Sequence, residues 1–389
     1  MSTHNTHVLV IGGGIAGLTA AWELAKRDIH VVLVEKSCFL GGRALGYTCK
    51  ATDSCQQCGA CSVEKMLKQV LAQPNITVHL RTEVAGLEKP APFTARLIKS
   101  PASGADTLLK GVSHLNDPLF VADGAPSGPL PPDTRPIDEL GFEGEIKADA
   151  VIVSTGFSPF DPAGKPTYGY GNLPNVVTGL EMEHLLKEHG RIIRPSDGRE
   201  PEQVAFIQCV GSRDERLGNL WCSEVCCPYA LRMARLARHK QPGLQASIFY
   251  IDIQNSGKEF PVLYEQLQSE ARFIRNIPVD IYPLEGDRLD LVHLSDSQGA
   301  LSSEPFDLVV LSVGIMPGPD NQKLAELTNI PLNEDGFFET RSLAGTQSEP
   351  TPGIFSAGTC TGPKSIADTM AQSGKAAYET VKYLGGTPS

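Results

Sequence analysis

Residues 7–36 read HVLVIGGGIAGLTAAWELAKRDIHVVLVEK, and everything else in the chain is placed relative to this run. His7 to Ile11 has the apolar character of a buried strand, and Gly12, Gly13, Gly14, Ile15, Ala16 and Gly17 follow it directly as G-x-G-x-x-G. A helix is predicted from Leu18 to Arg27, then a second strand from Ile29 to Val34 that ends at Glu35. Each part has a mechanical purpose: Gly12 makes a tight turn, Gly14 lets the backbone approach a pyrophosphate, and Gly17 lets the helix pack on the strand. The helix start, with Gly13 and Ala16 in its approach, offers free N–H groups to phosphates, and Glu35 can accept from a ribose hydroxyl. Strand, helix, strand and acid in register make a dinucleotide-binding βαβ unit.

At 389 residues the chain exceeds one simple core and suits two interleaved domains. The expected division is a dinucleotide domain over 1–200 with a β excursion and loop at 85–147, a second domain over 201–314, and a return to the first over 315–389. Residues 129–136 are read as part of an exposed, Pro-rich loop. The net charge of −11 gives no sign of a nucleic-acid partner, and the basic run from Arg232 to Lys240 reads as the wet face of a helix. No apolar stretch is long enough to span a bilayer, and Met1 to His7 has no signal-peptide pattern. A cytoplasmic chain is therefore expected, in which clustered cysteines bind metal or do redox work.

Glu35-Lys36 followed by Gly41-Gly42-Arg43 resembles the two-dinucleotide-domain flavoproteins of the thioredoxin reductase, or pyridine nucleotide-disulfide oxidoreductase, type. That resemblance implies an α/β fold with two Rossmann-like domains on central parallel sheets, and FAD as the first nucleotide. It also implies FAD contacts from Lys36, Gly42 and Arg43. Val84, in a strand running from Val78 to Glu88, would meet the adenine. Thr155 and Gly156 lie in the crossover strand Ala150 to Phe157. Gly358 ends the strand that reaches the flavin, and Lys364 and Ile366 enter a helix whose positive end would face the reduced flavin. Lys364 is the candidate tuning residue. Thr359 and Cys360 stand where these proteins usually carry Asp.

The second domain departs from that pattern. After the strand Gln203 to Gln208 the chain reads Cys209-Val210-Gly211-Ser212-Arg213, and further on Cys222-Ser223-Glu224-Val225-Cys226-Cys227-Pro228. One glycine cannot replace three, so NAD(P)H is not expected there in the usual pose. Four thiolates at Cys209, Cys222, Cys226 and Cys227 suit a 4Fe–4S cluster; a structural zinc and unligated core thiols are the alternatives. A second group, Cys49, Cys55, Cys58 and Cys61, follows the first glycines. It reads as a further cluster, as a redox dithiol of Cys55 and Cys58 with Lys50 or Lys65 as the activating cation, or as reduced thiols at an interface. Cys38 and Cys360 are read as small hydrophobes. The histidines, His4, His7, His30, His79, His114, His184, His189, His239 and His293, show no ligand spacing.

Phe206-Ile207-Gln208-Cys209 leading into C-x12-C-x3-C-C resembles the A subunit of heterodisulfide reductase. Matches extend through Pro74-Asn75-Ile76, Asp252-Ile253, Phe273-Ile274-Arg275 and Gly362-Pro363-Lys364. Between Ser62 and Gln208 there is no cysteine, so the ferredoxin-like insertion of the methanogenic protein is missing. The chain looks like the compact form found in the heterodisulfide-reductase-like complex of sulfur-oxidising prokaryotes. This implies an FAD- and 4Fe–4S-containing electron-transfer subunit in dissimilatory sulfur oxidation, partnered by B-like and C-like subunits and by a lipoyl-carrying protein, and forming a homodimer. Two rivals remain: a free-standing NAD(P)H-dependent disulfide reductase using Cys55 and Cys58, and a zinc-stabilised FAD scaffold without turnover.

Overall fold

A computed structural model describes residues 6–101, 139–254, 260–295, 299–340 and 351–385. His4, His114 and the loop at 129–136 lie outside the described residues. The chain opens with β1 (His7–Ile11), α1 (Ile15–Ala25), β2 (His30–Val34), α2 (Cys61–Leu71) and β3 (Ile76–Leu80). It continues through β4 (Thr82–Glu88), β5 (Phe93–Lys99), β6 (Glu139–Leu140), β7 (Gly144–Ala148), β8 (Ala150–Val153) and β9 (Ser158–Pro159). There follow β10 (Val176–Thr178), α3 (Gly179–His189), β11 (Gln203–Val210), α4 (Cys226–Lys240), β12 (Gln245–Phe249), α5 (Phe260–Gln268) and β13 (Arg272–Ile274). Then come β14 (Asp280–Pro283), β15 (Leu289–Leu294), β16 (Leu301–Phe306), β17 (Leu308–Val313) and β18 (Ile315–Met316). The last elements are α6 (Asn321–Thr328), β19 (Ile354–Ser356) and α7 (Ile366–Leu384).

The fold is α/β and forms two compact units, one of Met1–Gly46, Gly59–Ser158 and Pro317–Ser389, the other of Tyr47–Cys58 and Pro159–Met316. In the first, a parallel sheet runs β19-β8-β1-β2-β3-β6. Strand alternation sends Val8 and Val10 into a core with α1, α2 and α7, and Leu9 and Ile11 into one with Phe93 and Leu97 of the antiparallel sheet β4-β5-β7. The single strand expected from Val78 to Glu88 is two strands. Arg81, at φ +49°, turns the chain out of the parallel sheet, so β3 and β4 belong to different sheets.

The second unit repeats the plan with a parallel sheet β10-β17-β11-β12-β13. Val204 and Phe206 of β11 and Leu308 and Val310 of β17 face α3 and α4, while Ala205, Ile207, Val309 and Leu311 face the antiparallel sheet β14-β15-β16. This unit begins at Pro159, whereas the sequence reading started it at 201. The cause is β10, which pairs with β17 from Val176↔Val309 to Thr178↔Leu311, and α3, whose Met182 and Leu186 enter the same core. Tyr47–Cys58 also belongs here, although the glycines before it belong to the first unit.

Candidate functional site

β1 ends in a turn that requires glycine. Gly12 has φ +105°, and a Cβ there would stand 2.5 Å from the Ser154 carbonyl oxygen; at Gly17 it would stand 1.8 Å from that of Gly12. At Gly14, by contrast, a Cβ would meet no heavy atom within 4 Å, so the approach to α1 is open. No side chain caps α1. The Gly13 N–H donates to Glu35 Oε2 at 2.7 Å, and Glu35 Oε1 accepts from the Ser37 N–H and hydroxyl at 2.8 Å each. A cleft of about 490 Å³ is lined by Gly12, Glu35, Lys36, Val84 and Thr155 together with Leu324. Thr155 Oγ1 is buried there with no hydrogen-bond partner among the described residues. A glycine turn and an orphaned hydroxyl on one cleft, with an uncapped helix start directly after that turn, fit the nucleotide part of FAD.

The other residues assigned to FAD lie around this turn or on α7. Gly41 N–H donates to the Gly13 carbonyl at 2.8 Å, a Cβ on Gly42 would lie 3.0 Å from Gly14 Cα, and Arg43 Nε donates to the Phe157 carbonyl at 3.0 Å. Gly156 adopts φ +77° just beyond Thr155. Gly358, at φ +86°, would place a Cβ 2.6 Å from that of Ala16. Lys364 Nζ donates to the Gly358 carbonyl at 2.9 Å, to Thr361 Oγ1 at 3.0 Å and to the Gly362 carbonyl at 2.6 Å. Its ammonium is thus committed to bracing the loop before α7. Ile366 opens α7, where Ser365 Oγ accepts from the Asp368 N–H. Cys360 is fully buried, and burial pushes its thiol up to about 11.

In the second unit the cysteines converge at the carboxyl end of β11. Cys226 lies close enough to Cys209 and Cys227 for each thiol to act on its ionisation, and Cys222 interacts electrostatically with both Cys226 and Cys227. Cys226 and Cys227 form the first residues of α4, and Cys227 packs among Val204, Phe206 and Val310. The Cys222 Sγ accepts from the Glu224 N–H at 3.3 Å. Hydrogen bonding to Cys209 and burial push the Cys226 thiol up to about 12; bonding to Cys226 and burial push Cys227 up as well, and burial raises Cys222. Crowded thiols resist ionising until a cation shares their charge, which is what metal binding supplies. Among the described residues no three His, Cys, Asp or Glu side chains are gathered as for a single metal ion. A cubane distributes its four cysteines over separate irons, and the donor set fits that.

Residues to which the sequence assigns no role, and Phe160 and Ser312, complete this site. Gly211 has φ +83°, and a Cβ on it would fall 2.0 Å from the Phe160 ring, which therefore covers its backbone. Arg213 binds Asp252 through two hydrogen bonds of 2.5 and 2.9 Å, and the Cys209 and Cys222 thiols act on the same guanidinium. Gln208 Nε2 and Oε1, Ser212 Oγ and Ser312 Oγ are buried without a partner among the described residues. Gln208 is marked in the sequence by its place before Cys209 in the Phe206-Ile207-Gln208-Cys209 run, and nothing there marks Ser312.

The N-terminal thiols are not assembled in one unit. Cys49, Cys55 and Cys58 lie in the second, whereas Cys61 begins α2 in the first. Cys49 and Cys55 accept from the N–H groups of Ala51 and Gln57 at 3.5 and 3.4 Å. Lys50 does not serve them as the expected cation: it is buried and paired with Glu183. Lys65 lies on α2 in the first unit. Arg232 of α4 takes that place, donating through Nε to the Gln56 carbonyl at 2.8 Å, with Cys58 and Cys55 acting on its charge. Arg235 donates to Gln56 Oε1 at 3.3 Å. The basic stretch of α4 is thus partly a docking face.

The family described as NAD(P)-binding Rossmann-like domain matches residues 10–59. Among solved structures, Lactococcus lactis thioredoxin reductase aligns with TM-score 0.59 at 16% identity, covering 98% of this chain and 99% of that one. An NAD-dependent persulfide reductase from A. fulgidus aligns with TM-score 0.54 at 18% identity, covering 99% of this chain and 59% of that one. These likenesses establish the two-domain fold of the thioredoxin reductase type. No helix among the described residues is long and apolar enough to cross a membrane. Among curated proteins, an iron–sulfur A subunit of CoB–CoM heterodisulfide reductase from Methanopyrus kandleri is 33% identical over 97% of this chain and 64% of its own. The A subunit of the ferredoxin:CoB–CoM heterodisulfide reductase of Methanosarcina mazei is 31% identical over 99% of this chain and 54% of its own. The chain therefore spans between 54% and 64% of the length of these two relatives. Over nearly its whole length the chain is a homologue of the A subunits of heterodisulfide reductases.

Proposed function

We propose that this chain is an electron-transfer oxidoreductase subunit that binds FAD in its first unit and a 4Fe–4S cluster in its second. In this reading it is the compact, cytoplasmic, homodimeric form that serves dissimilatory sulfur oxidation, with B-like and C-like subunits and a lipoyl-carrying protein as partners. One observation carries the reading: Cys209, Cys222, Cys226 and Cys227 converge in the turn where a second nucleotide would otherwise lie. Phe160 covers the remaining glycine of that turn, and Arg213 engages Asp252, just past β12, near where a ribose-binding acid would be sought.

FAD would supply a carrier that takes two electrons and releases them singly, and a cubane cluster one that passes them one at a time, so the two together would connect two-electron and one-electron partners. The protein supplies position and charge. Gly12, Gly13, Gly14, Ala16 and Gly17 shape the pyrophosphate cradle, Glu35 is held to receive a ribose hydroxyl, and Lys364 fixes the loop from Gly358 to Gly362. In the second unit, the start of α4 and the Arg213 guanidinium place positive charge beside the thiolates.

Iron, acid-labile sulfide, zinc and FAD per chain on anaerobically purified protein test the reading. About four iron per chain, absent from Cys226→Ser, is the expected result; zinc in place of iron overturns it. The exposure of Cys55, with Arg232 near it, favours a second reading as a dithiol reductase driven by NAD(P)H. Rapid bleaching of the flavin by NADPH alone would decide for that rival.

A further inference from the structure

Gln208 follows Ile207 in β11, at the point where the pairing with β17 shifts register between Ile207 and Val210 and Cys209 adopts φ +58°. The residues before it on the same face, Val204 and Phe206, pack with Cys227 against α4. On the neighbouring strand β17, Leu308 and Val310 face the same way, and Ser312 is the next in that series. Gln208 and Ser312 are therefore the two polar side chains on this face at the carboxyl end of the paired strands, on the side of the sheet where α4 begins with Cys226 and Cys227. Ser212 follows in the turn beside Gly314 and Ser223. Relative exposure is 1% for Gln208, 1% for Ser212 and 3% for Ser312.

Three buried side chains with no partner among the described residues are out of keeping with a finished core, because an unmade hydrogen bond there leaves the desolvation cost of the group uncompensated. Elsewhere in the same turn polar groups are matched: Ser223 Oγ accepts from the Ile315 N–H at 2.8 Å, and Asn219 Nδ2 donates to the Gly211 carbonyl at 2.8 Å. What the three share is nearness to Cys209 in sequence or strand pairing, and donor hydrogens. Sulfide and thiolate sulfurs are acceptors, and hydrogen bonds to them favour the more negative, reduced state of a cluster.

We propose that Gln208 Nε2 donates a hydrogen bond to the sulfur of the cluster held by Cys209, Cys222, Cys226 and Cys227, with Ser312 and Ser212 as further donors, and that these positioning residues raise its reduction potential. The inference rests on the iron–sulfur reading above. It is tested on the full chain, purified anaerobically, by a redox titration followed by electron paramagnetic resonance, with iron and sulfide counted in each sample. Gln208→Met and Ser312→Ala are expected to keep their iron and to shift the cluster's midpoint potential downward, whereas Ser312→Thr, which retains the hydroxyl, stays at the wild-type value. Ser312→Ala removes a single oxygen and carries the test if Gln208→Met does not fold. Iron-loaded Gln208→Met and Ser312→Ala with unchanged potentials would overturn this inference alone. A wild-type chain without iron and sulfide would overturn the iron–sulfur reading and this inference with it.

Discussion

Lys50 is a buried charge whose neighbours are supplied by the far side of the sequence. Its ammonium pairs with Glu183, 133 residues away, and lies 5.4 Å from the ring centroids of both Tyr47 and Tyr229. Glu183 also accepts from the Thr48 N–H at 2.8 Å, so the carboxylate pins the start of the Tyr47–Cys58 segment. Lys50→Met leaves that carboxylate buried with less than its full complement, and is expected to cost about 3–5 kcal/mol in urea unfolding. The double variant Lys50→Met/Glu183→Leu should recover much of the loss. Nothing local announces this role: beside four cysteines, Lys50 reads as a thiol activator, and only the long-range partner shows where its charge is spent. Cys360 is easier to read, since a lone cysteine without a partner at ligand spacing is a small hydrophobe. Its consequence is a pH dependence. The folded thiol is pushed from 9.0 up to about 11 by burial, so between those values the unfolded chain has lost a proton that the folded chain keeps. Stability from this group is complete below the unfolded pKa and declines as pH rises through the interval, by roughly 2–3 kcal/mol in all. Cys360→Val, compared with wild type in denaturant titrations across the same interval, should show a shallower decline.

At the scale of an element, α4 does the most. Its start holds Cys226 and Cys227, its apolar face completes the second core, and Arg232 and Arg235 on another face hold Gln56. The helix itself was legible, because Leu231, Ala234 and Leu236 keep an apolar face among basic residues. Which arginines stay wet was not, because Gln56 lies 176 residues from Arg232 and periodicity carries no information about what docks on the polar side. Arg232→Ala is expected to leave α4 folded and to loosen the Cys55–Cys58 turn. Losing a hydrogen bond from a charged donor, worth about 1.5–3 kcal/mol, should speed amide exchange over that turn by about tenfold or more. Hydrogen exchange with peptide resolution measures it, and unchanged protection there would show that the turn is held by something else. Gly211 is a second case. In the sequence it is one glycine where a dinucleotide turn needs three, whereas its φ of +83° and the Phe160 ring against it explain it as a packing requirement.

The whole molecule uses one βαβ plan twice, and the contrast lies in what fills each first turn. In the first unit the turn is three glycines before an uncapped helix; in the second it is a cysteine, a covered glycine and a helix that itself begins with two cysteines. Both strand-turn-helix runs were readable because each is long and strongly patterned. The border between the units was not, since β10 is three residues long in a Pro- and Gly-rich stretch, and Tyr47–Cys58 crosses from one unit to the other through contacts that spacing does not encode. If the two turns are separate cofactor sites, each should be removable without the other. Gly14→Ala is a suitable probe of the first, because φ at Gly14 is −73° and the added Cβ meets no protein atom within 4 Å, so the fold has no reason to change. The methyl group would instead occupy the space through which a pyrophosphate reaches the backbone. FAD affinity is expected to fall at least about tenfold, with iron per chain unchanged, and Cys226→Ser should show the reverse, with iron lost and FAD retained. Parallel loss of both cofactors in either variant would mean that the two units do not load independently.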